Sequence, residues 1–191
     1  IANFHTLFNV FNMLLFIPLI PLLERIVTKF IPESIFKKEG ITNYLDESLL
    51  AEPTIAIDQI KLELGRMMHN VQRVVGYSLK SLDSINSLYI NNTFQAESEN
   101  DQYQLEITDY IARLSRQELY EEDAARLPVL LHVTNDLEKA ADFSRNIAEL
   151  AERKLDKGIE FSEQQKVIIG NMSRLVNGML DNLLTALENN D

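Results

Sequence analysis

The sequence predicts an all-α protein, an antiparallel bundle of about four long helices preceded by one apolar helix. From residue 57 onward apolar residues recur every three or four positions, as in Ile57, Ile60, Leu64 and Met67. That is the spacing of one helix face. No long stretch alternates apolar and polar residues in the two-residue period of a strand. Short joins between long helices favour antiparallel neighbours.

Charge and composition limit the classes of partner and of chemistry. The formal net charge is −11; the first 40 residues hold four basic and three acidic side chains, and the rest hold 14 and 26. An acidic body repels phosphates, so the sequence predicts no nucleic-acid partner. The absence of cysteine excludes a disulfide framework, a thiolate metal site and a cysteine nucleophile.

The first 30 residues are predicted to be a transmembrane helix. Thr6 to Leu23 is a run of 18 uncharged residues, and about 20 apolar residues cross a bilayer. The lipid bilayer is therefore an expected partner, through residues 8–26. Asn9 and Asn12 share one helix face, which we expect to pack against other membrane helices because polar groups are unfavourable in lipid.

The flanking charges orient this segment. Its basic residues (Arg25, Lys29, Lys37 and Lys38) all follow the apolar run, which predicts that the C-terminal side is cytoplasmic. A signal peptide is not favoured, since no basic region precedes the run and no small-residue cleavage site follows it. The alternative is a buried helix of a soluble protein.

A linker over residues 31–53 leads into a helical body over residues 54–191. Within the linker, Tyr44 to Asp46 and Leu49-Leu50 are expected to pack onto the body. The body should open at Pro53, because proline suits a first helical turn. The remaining expected boundaries are a break at Asn91-Asn92, a long helix from Glu121 to Lys157 ended by Gly158, and a capping box formed by Ser162 and Gln165.

The long helix carries a stripe of oxygen-bearing side chains. At 100° per residue these side chains fall within an arc of roughly 80°, on the side opposite Leu137 and Ala141, so the stripe is expected to face away from the core. Like charges four apart repel, and a hard cation or a partner's arginine would reverse that repulsion. A solvated helix face is the alternative. The stripe consists of Asn135, Glu138, Asp142, Asn146 and Glu149, with His132 one turn before it.

The N-terminal segment resembles a known family of membrane proteins. The pattern Asn-x-His-Thr-x-Phe-Asn, at residues 3–9, stands in front of the apolar run. It is similar to the start of the final membrane helix in bacterial sodium/phosphate cotransporters. The resemblance implies that the chain's own membrane transport domain is a partner.

Residues 135–149 resemble the signature of the PhoU family. That signature consists of an acidic residue, three other residues and an Asp, followed by Asn-Ile-Ala-Glu. The resemblance implies a PhoU-like bundle that binds divalent or ferric metal ions. By resemblance the ligands would be Glu138 and Asp142, with Asp136, Asn146 and Glu149 nearby. PhoU proteins carry two three-helix repeats, whereas this chain has one repeat and a further helix. With no second acidic pair on the first helix, a homodimer would complete the motif across a two-fold axis.

These resemblances imply a regulatory or interaction domain of a sodium-dependent phosphate cotransporter, not an enzyme. The missing membrane domain would carry the transport. The protein is expected in the bacterial inner membrane with residues 31–191 in the cytoplasm. One alternative is a PhoU-like adaptor that binds a separate transporter or kinase. Another is a metal-dependent enzyme, which the lack of a recognisable base or nucleophile disfavours.

Overall fold

A computed structural model describes residues 2–19, 40–83 and 87–189, and every regular element in those ranges is helical. The chain divides into two compact units, Ile1–Gly40 and Ile41–Asp191. The all-α prediction is confirmed for the described residues.

The first unit contains helix α1, Ala2–Phe16, and a 3₁₀ turn, Ile17–Leu19. The helix ends two residues before Pro18, since a proline restricts the residue ahead of it and removes a helical donor. In the part of the chain that the structure describes, no helix is both long enough and apolar enough to cross a membrane. The predicted span 8–26 continues through residues 20–26, which lie outside the described residues.

The second unit begins with a strap, residues 41–52, that lies along the helical body. Its 3₁₀ turn, Glu47–Ala51, is capped by Asp46, whose carboxylate accepts the Ser48 N–H at 2.8 Å. Leu45 and Leu50 pack against the core of the body. The predicted packing of this segment is confirmed.

Helices α2 (Pro53–Asp83), α3 (Leu88–Leu114) and α4 (Glu121–Asp156) pack against one another and enclose the core. Thr54 hydrogen bonds Asp123 at 3.1 Å at one end of the bundle. At the other end Lys154 donates to the carbonyl of Leu82 at 2.7 Å. The starts of α2 and α4 thus meet, as do their ends, so α3 runs antiparallel to both.

The last helix, α5 (Glu163–Asn189), packs mainly against α2. The predicted local signals that join it to α4 are confirmed. Gly158 has φ +61°, a left-handed conformation that a Cβ would strain. Ser162 and Gln165 form the capping box, with the Ser162 N–H donating to Oε1 of Gln165 at 2.9 Å and the Gln165 N–H to Oγ of Ser162 at 3.3 Å.

One predicted boundary is wrong. Asn91 and Asn92 lie inside α3, and the Asn91 N–H donates to the carbonyl of Ser87 at 2.9 Å. Asparagine is a poor helix former, but the penalty is below about 1 kcal/mol per residue. It is outweighed by packing of the adjacent Ile90 against Ala148 and other residues of α4. Helix α3 therefore extends toward its N-terminus as far as Leu88.

Candidate metal centre

Two acidic pairs meet where α3 and α4 lie side by side. Glu97 and Asp101 stand four apart on α3, and Glu138 and Asp142 stand four apart on α4. Residues at that spacing lie on one helix face. Carboxylate oxygens of Glu97, Asp101 and Asp142 all lie within 4.8 Å of one another. We call these four side chains the acidic cluster.

One arginine faces the acidic cluster. Nη1 of Arg145 donates to both carboxylate oxygens of Glu97, at 3.1 and 2.9 Å. Glu97 is buried, so this contact compensates a charge that would otherwise be strongly disfavoured. The guanidinium also lies over the Phe94 ring, 5.4 Å from its centre, and its Nε contacts Glu149 at 3.4 Å.

The remaining negative charge is poorly compensated. Burial raises the pKa of Glu97, and the charges of Asp101 and Asp142 raise it further against the lowering effect of Arg145. Burial, then the charge of Asp142, raises the pKa of Asp101. The pKa of Glu138 is raised by burial, by the charge of Asp142, and by a hydrogen bond between the two carboxyls. The folded protein therefore holds these four carboxyls close together at an electrostatic penalty.

A buried amide on α3 precedes Asp101 of the acidic cluster in the sequence. Asn100 is fully buried on α3, between Glu97 and Asp101 in sequence, and neither its Oδ1 nor its Nδ2 has a hydrogen-bond partner. Leaving such a group unsatisfied costs about 1–3 kcal/mol. An amide oxygen is also a hard donor of the kind that divalent cations accept together with carboxylates. The residues present therefore fit a hard metal ion.

The structure separates the five predicted metal residues. Glu138 and Asp142 belong to the acidic cluster. Asp136 instead points to the outer surface, where it contacts His132 at 3.3 Å and Lys139 at 3.6 Å. Glu149 contacts Arg145, and Asn146 is exposed.

None of the stripe's side chains is buried, whereas Leu137 and Ala141 opposite it are, so the stripe lies outside the core as predicted. Glu138 and Asp142 are half-buried at the boundary with α3, and Asn135 accepts a hydrogen bond from Gln104 of α3 at 3.5 Å. A helix with neighbours on two sides has no single outward face, so a stripe turned away from α2 can still meet α3. The stripe therefore borders a second helix.

Sequence reasoning missed Glu97 and Asp101. The signal was present, because Glu97-x-x-x-Asp101 repeats the spacing of Glu138-x-x-x-Asp142. The expected break at Asn91-Asn92 obscured the start of α3, the helix that carries this second pair. Since α3 supplies the missing pair, a two-fold axis is not required to complete the set of ligands.

The family model described as the PhoU domain matches residues 64–151, which run from α2 to α4 and include the whole acidic cluster. No curated protein and no solved structure matches the chain. The PhoU family is regulatory and non-enzymatic. The match therefore indicates a regulatory or adaptor role in phosphate homeostasis.

Proposed function

We propose that this helical body is the cytoplasmic regulatory domain of a sodium-dependent phosphate cotransporter, and that it responds to a metal ion held at the acidic cluster. The observation that carries the proposal is the cluster itself: four carboxylates from two helices face one arginine within the PhoU-matched residues. Transport itself would belong to a membrane domain of the same protein.

The N-terminal segment supports the link to a membrane transporter. In α1 the large apolar side chains from Phe8 to Phe16 are mostly exposed, as expected for a helix whose partners are lipid or other membrane helices. The pattern at residues 3–9 resembles the start of the final membrane helix in bacterial sodium/phosphate cotransporters. The later basic residues favour a bacterial inner-membrane location with residues 31–191 in the cytoplasm.

A bound cation would act on the junction of α3 and α4. It would offset the mutual repulsion of the carboxylates and draw the two acidic pairs together. Helix α3 also carries Glu106, whose carboxylate accepts the backbone N–H groups of Ile41 and Thr42 at 2.9 and 3.1 Å. A shift of α3 would therefore displace the strap, which follows the N-terminal unit in the chain.

Metal binding can be tested by thermal unfolding of the full chain in Mg²⁺, Mn²⁺ or ferric citrate. A cation that binds only the folded state raises the unfolding midpoint as its concentration rises. We expect that rise in the native chain and its loss in Asp101→Asn with Asp142→Asn. Asp136→Asn is the matched control, because it removes a carboxylate from the same helix outside the cluster. An equal rise in the double variant would rule out this site.

Regulation is tested separately by phosphate uptake in cells that express the gene. The Asp101→Asn, Asp142→Asn pair should change how uptake responds to external phosphate, while Asp136→Asn leaves the response unaltered. Uptake that is the same in all three strains would contradict control of transport by the cluster.

The second candidate is a PhoU-like adaptor that binds a separate transporter or kinase. It is favoured by the PhoU match, which lies wholly within the second unit and does not include the N-terminal segment. Cell fractionation distinguishes the two. Retention of the chain in membranes after an alkaline carbonate wash supports the cotransporter domain, whereas recovery in the soluble fraction supports the adaptor.

A further inference from the structure

Helix α5 exposes far more apolar surface than the helices beside it. Among its described side chains, residues 163–186, none is buried, and Leu180 and Leu184 are the large ones that pack against the core. The large apolar side chains on its other side range in exposure from 38% at Val176 to 71% at Met179. A helix gains most of its stability from packing such side chains. Among the residues that the structure describes, none covers this surface.

The exposed apolar residues form one continuous face. At 100° per residue they lie within an arc of roughly 100° and extend about 22 Å along the helix. The charged residues Lys166, Arg174 and Asp181 lie outside that arc. We call this surface the α5 face; it consists of Ile168, Met172, Leu175, Val176, Met179 and Leu183.

Four of the six residues of the α5 face are arranged symmetrically about one point of the helix. Reflection about the point between Asn177 and Gly178 exchanges Met172 with Leu183 and Val176 with Met179. Two antiparallel copies of α5 would therefore place apolar side chains opposite each other in successive layers. Such an isologous contact is what a two-fold axis generates.

The charge distribution favours association of two antiparallel copies through the α5 face. The chain carries a net charge of −11, so two copies repel unless they meet through an uncharged surface, and the α5 face has no charged residue. Lys166 and Arg174 lie in the N-terminal half of α5, where Glu163 offsets one of them, and Asp181 lies in the C-terminal half. These charges lie on the side of α5 away from the α5 face, so the direction is favoured by the opposed helix dipoles of an antiparallel pair.

We propose that two copies of this chain associate through the α5 face, antiparallel, with the two-fold axis beside Asn177 and Gly178. A lipid surface is a poorer fit, because the polar side of a membrane-surface helix is rich in Lys and Arg. The proposal does not depend on the metal centre or on transport.

Disulfide trapping tests the contact and its direction. The chain has no cysteine, so an introduced thiol reports on one position. A mixture of Met172→Cys and Leu183→Cys chains, one of them tagged, should form the mixed disulfide under mild oxidation. Each variant alone should not, because its own two positions would lie about 16 Å apart along the antiparallel pair. Self-linking of either single variant would overturn the antiparallel arrangement, and no cross-link in any sample would overturn the contact.

Sedimentation velocity of the full chain in detergent tests the same face by mutation. Val176→Glu with Met179→Glu should raise the dimer dissociation constant roughly 100-fold, because two carboxylates would be buried in the contact. Val167→Glu is the control: Val167 is 62% exposed on the same helix but lies outside the α5 face. Circular dichroism should find equal helicity in all three chains. A monomeric native chain, or equal association in the double variant, would overturn the proposal.

Discussion

The helical body holds two groups of carboxylates that differ in how completely the protein satisfies them. Glu63 of α2 is fully buried, and it accepts the N–H groups of Asn43 and Tyr44 at 3.0 and 2.9 Å and an N–H of Arg66. Glu106 of α3 accepts two backbone N–H groups and, at 2.6 Å, the hydroxyl of Thr42.

The acidic cluster presents the opposite case. Its four carboxylates, Glu97, Asp101, Glu138 and Asp142, face the single guanidinium of Arg145, and the pKa values of the first three are raised. Completely satisfied carboxylates hold a fold together, whereas incompletely satisfied ones reduce its stability until another positive charge arrives. Burial alone therefore does not distinguish the two groups of carboxylates, but burial with missing donors does.

Replacement of Glu63 by alanine should have the largest effect. It removes the acceptor for two strap amides and leaves Arg66 without its carboxylate partner, which should lower the free energy of unfolding in urea by about 3–5 kcal/mol. The control is Glu99→Ala, which breaks an Arg73 contact at the surface and should cost below about 1 kcal/mol. Equal losses of stability in both variants would mean that Glu63 contributes no more to the fold than a surface carboxylate does.

The Glu106→Ala substitution should cause the next largest loss of stability. Hydrogen bonds to a charged acceptor contribute about 1.5–3 kcal/mol, so we expect a loss of about 2 kcal/mol. Hydrogen exchange at the amides of Ile41 and Thr42 should accelerate before the rest of the bundle is affected. Asp109→Ala, which loses an exposed contact to Arg113, is the control. Unchanged protection of those two amides would mean that Glu106 does not hold the strap.

The Asn100→Leu substitution should raise the stability of the cation-free chain. The amide is buried without partners, and an apolar side chain of similar size should raise the cation-free stability by about 1 kcal/mol. It should also weaken the cation-induced rise in midpoint if the amide oxygen belongs to the site. Thr108→Val is matched to it, because the Thr108 hydroxyl is likewise buried and unpaired but lies two turns further along α3. A stability loss in Asn100→Leu would indicate that the amide is satisfied.

Features that depend on neighbouring residues could be predicted from the sequence, whereas those that depend on distant residues could not. Local chemistry gave the start of α4 at Glu121, the left-handed Gly158 and the Ser162 capping box, because each depends on neighbours within a few residues. The strap bonds join residues 19 to 65 positions apart, and no local pattern announces them.

The acidic cluster was only half predictable for the same reason. Glu138 and Asp142 form a pair on their own helix, and spacing alone identifies them. Their meeting with Glu97 and Asp101 depends on the register between α3 and α4, which tertiary packing sets. Likewise the contact of the stripe with α3 was not predictable, because spacing measures the angle around one helix and does not locate its neighbours.

The smallest expected effect is the pH dependence of the cation-free chain. A raised pKa in the folded state means that the folded protein binds protons more tightly than the unfolded one. The destabilisation is therefore absent below the ordinary carboxyl pKa, 3.8 for Asp101 and 4.5 for Glu138, and develops as the pH rises from there through the raised pKa values. In the presence of a chelator, Asp101→Asn should unfold at a higher temperature than the native chain by roughly 1–2 °C at pH 7, a small value because solvent screens Asp101. The difference should shrink as the pH falls toward 3.8, the ordinary pKa of an aspartate. Asp136→Asn, which removes a charge outside the cluster, should show no such trend, and parallel curves for native and Asp101→Asn chains would mean that the four carboxylates do not repel one another in solution.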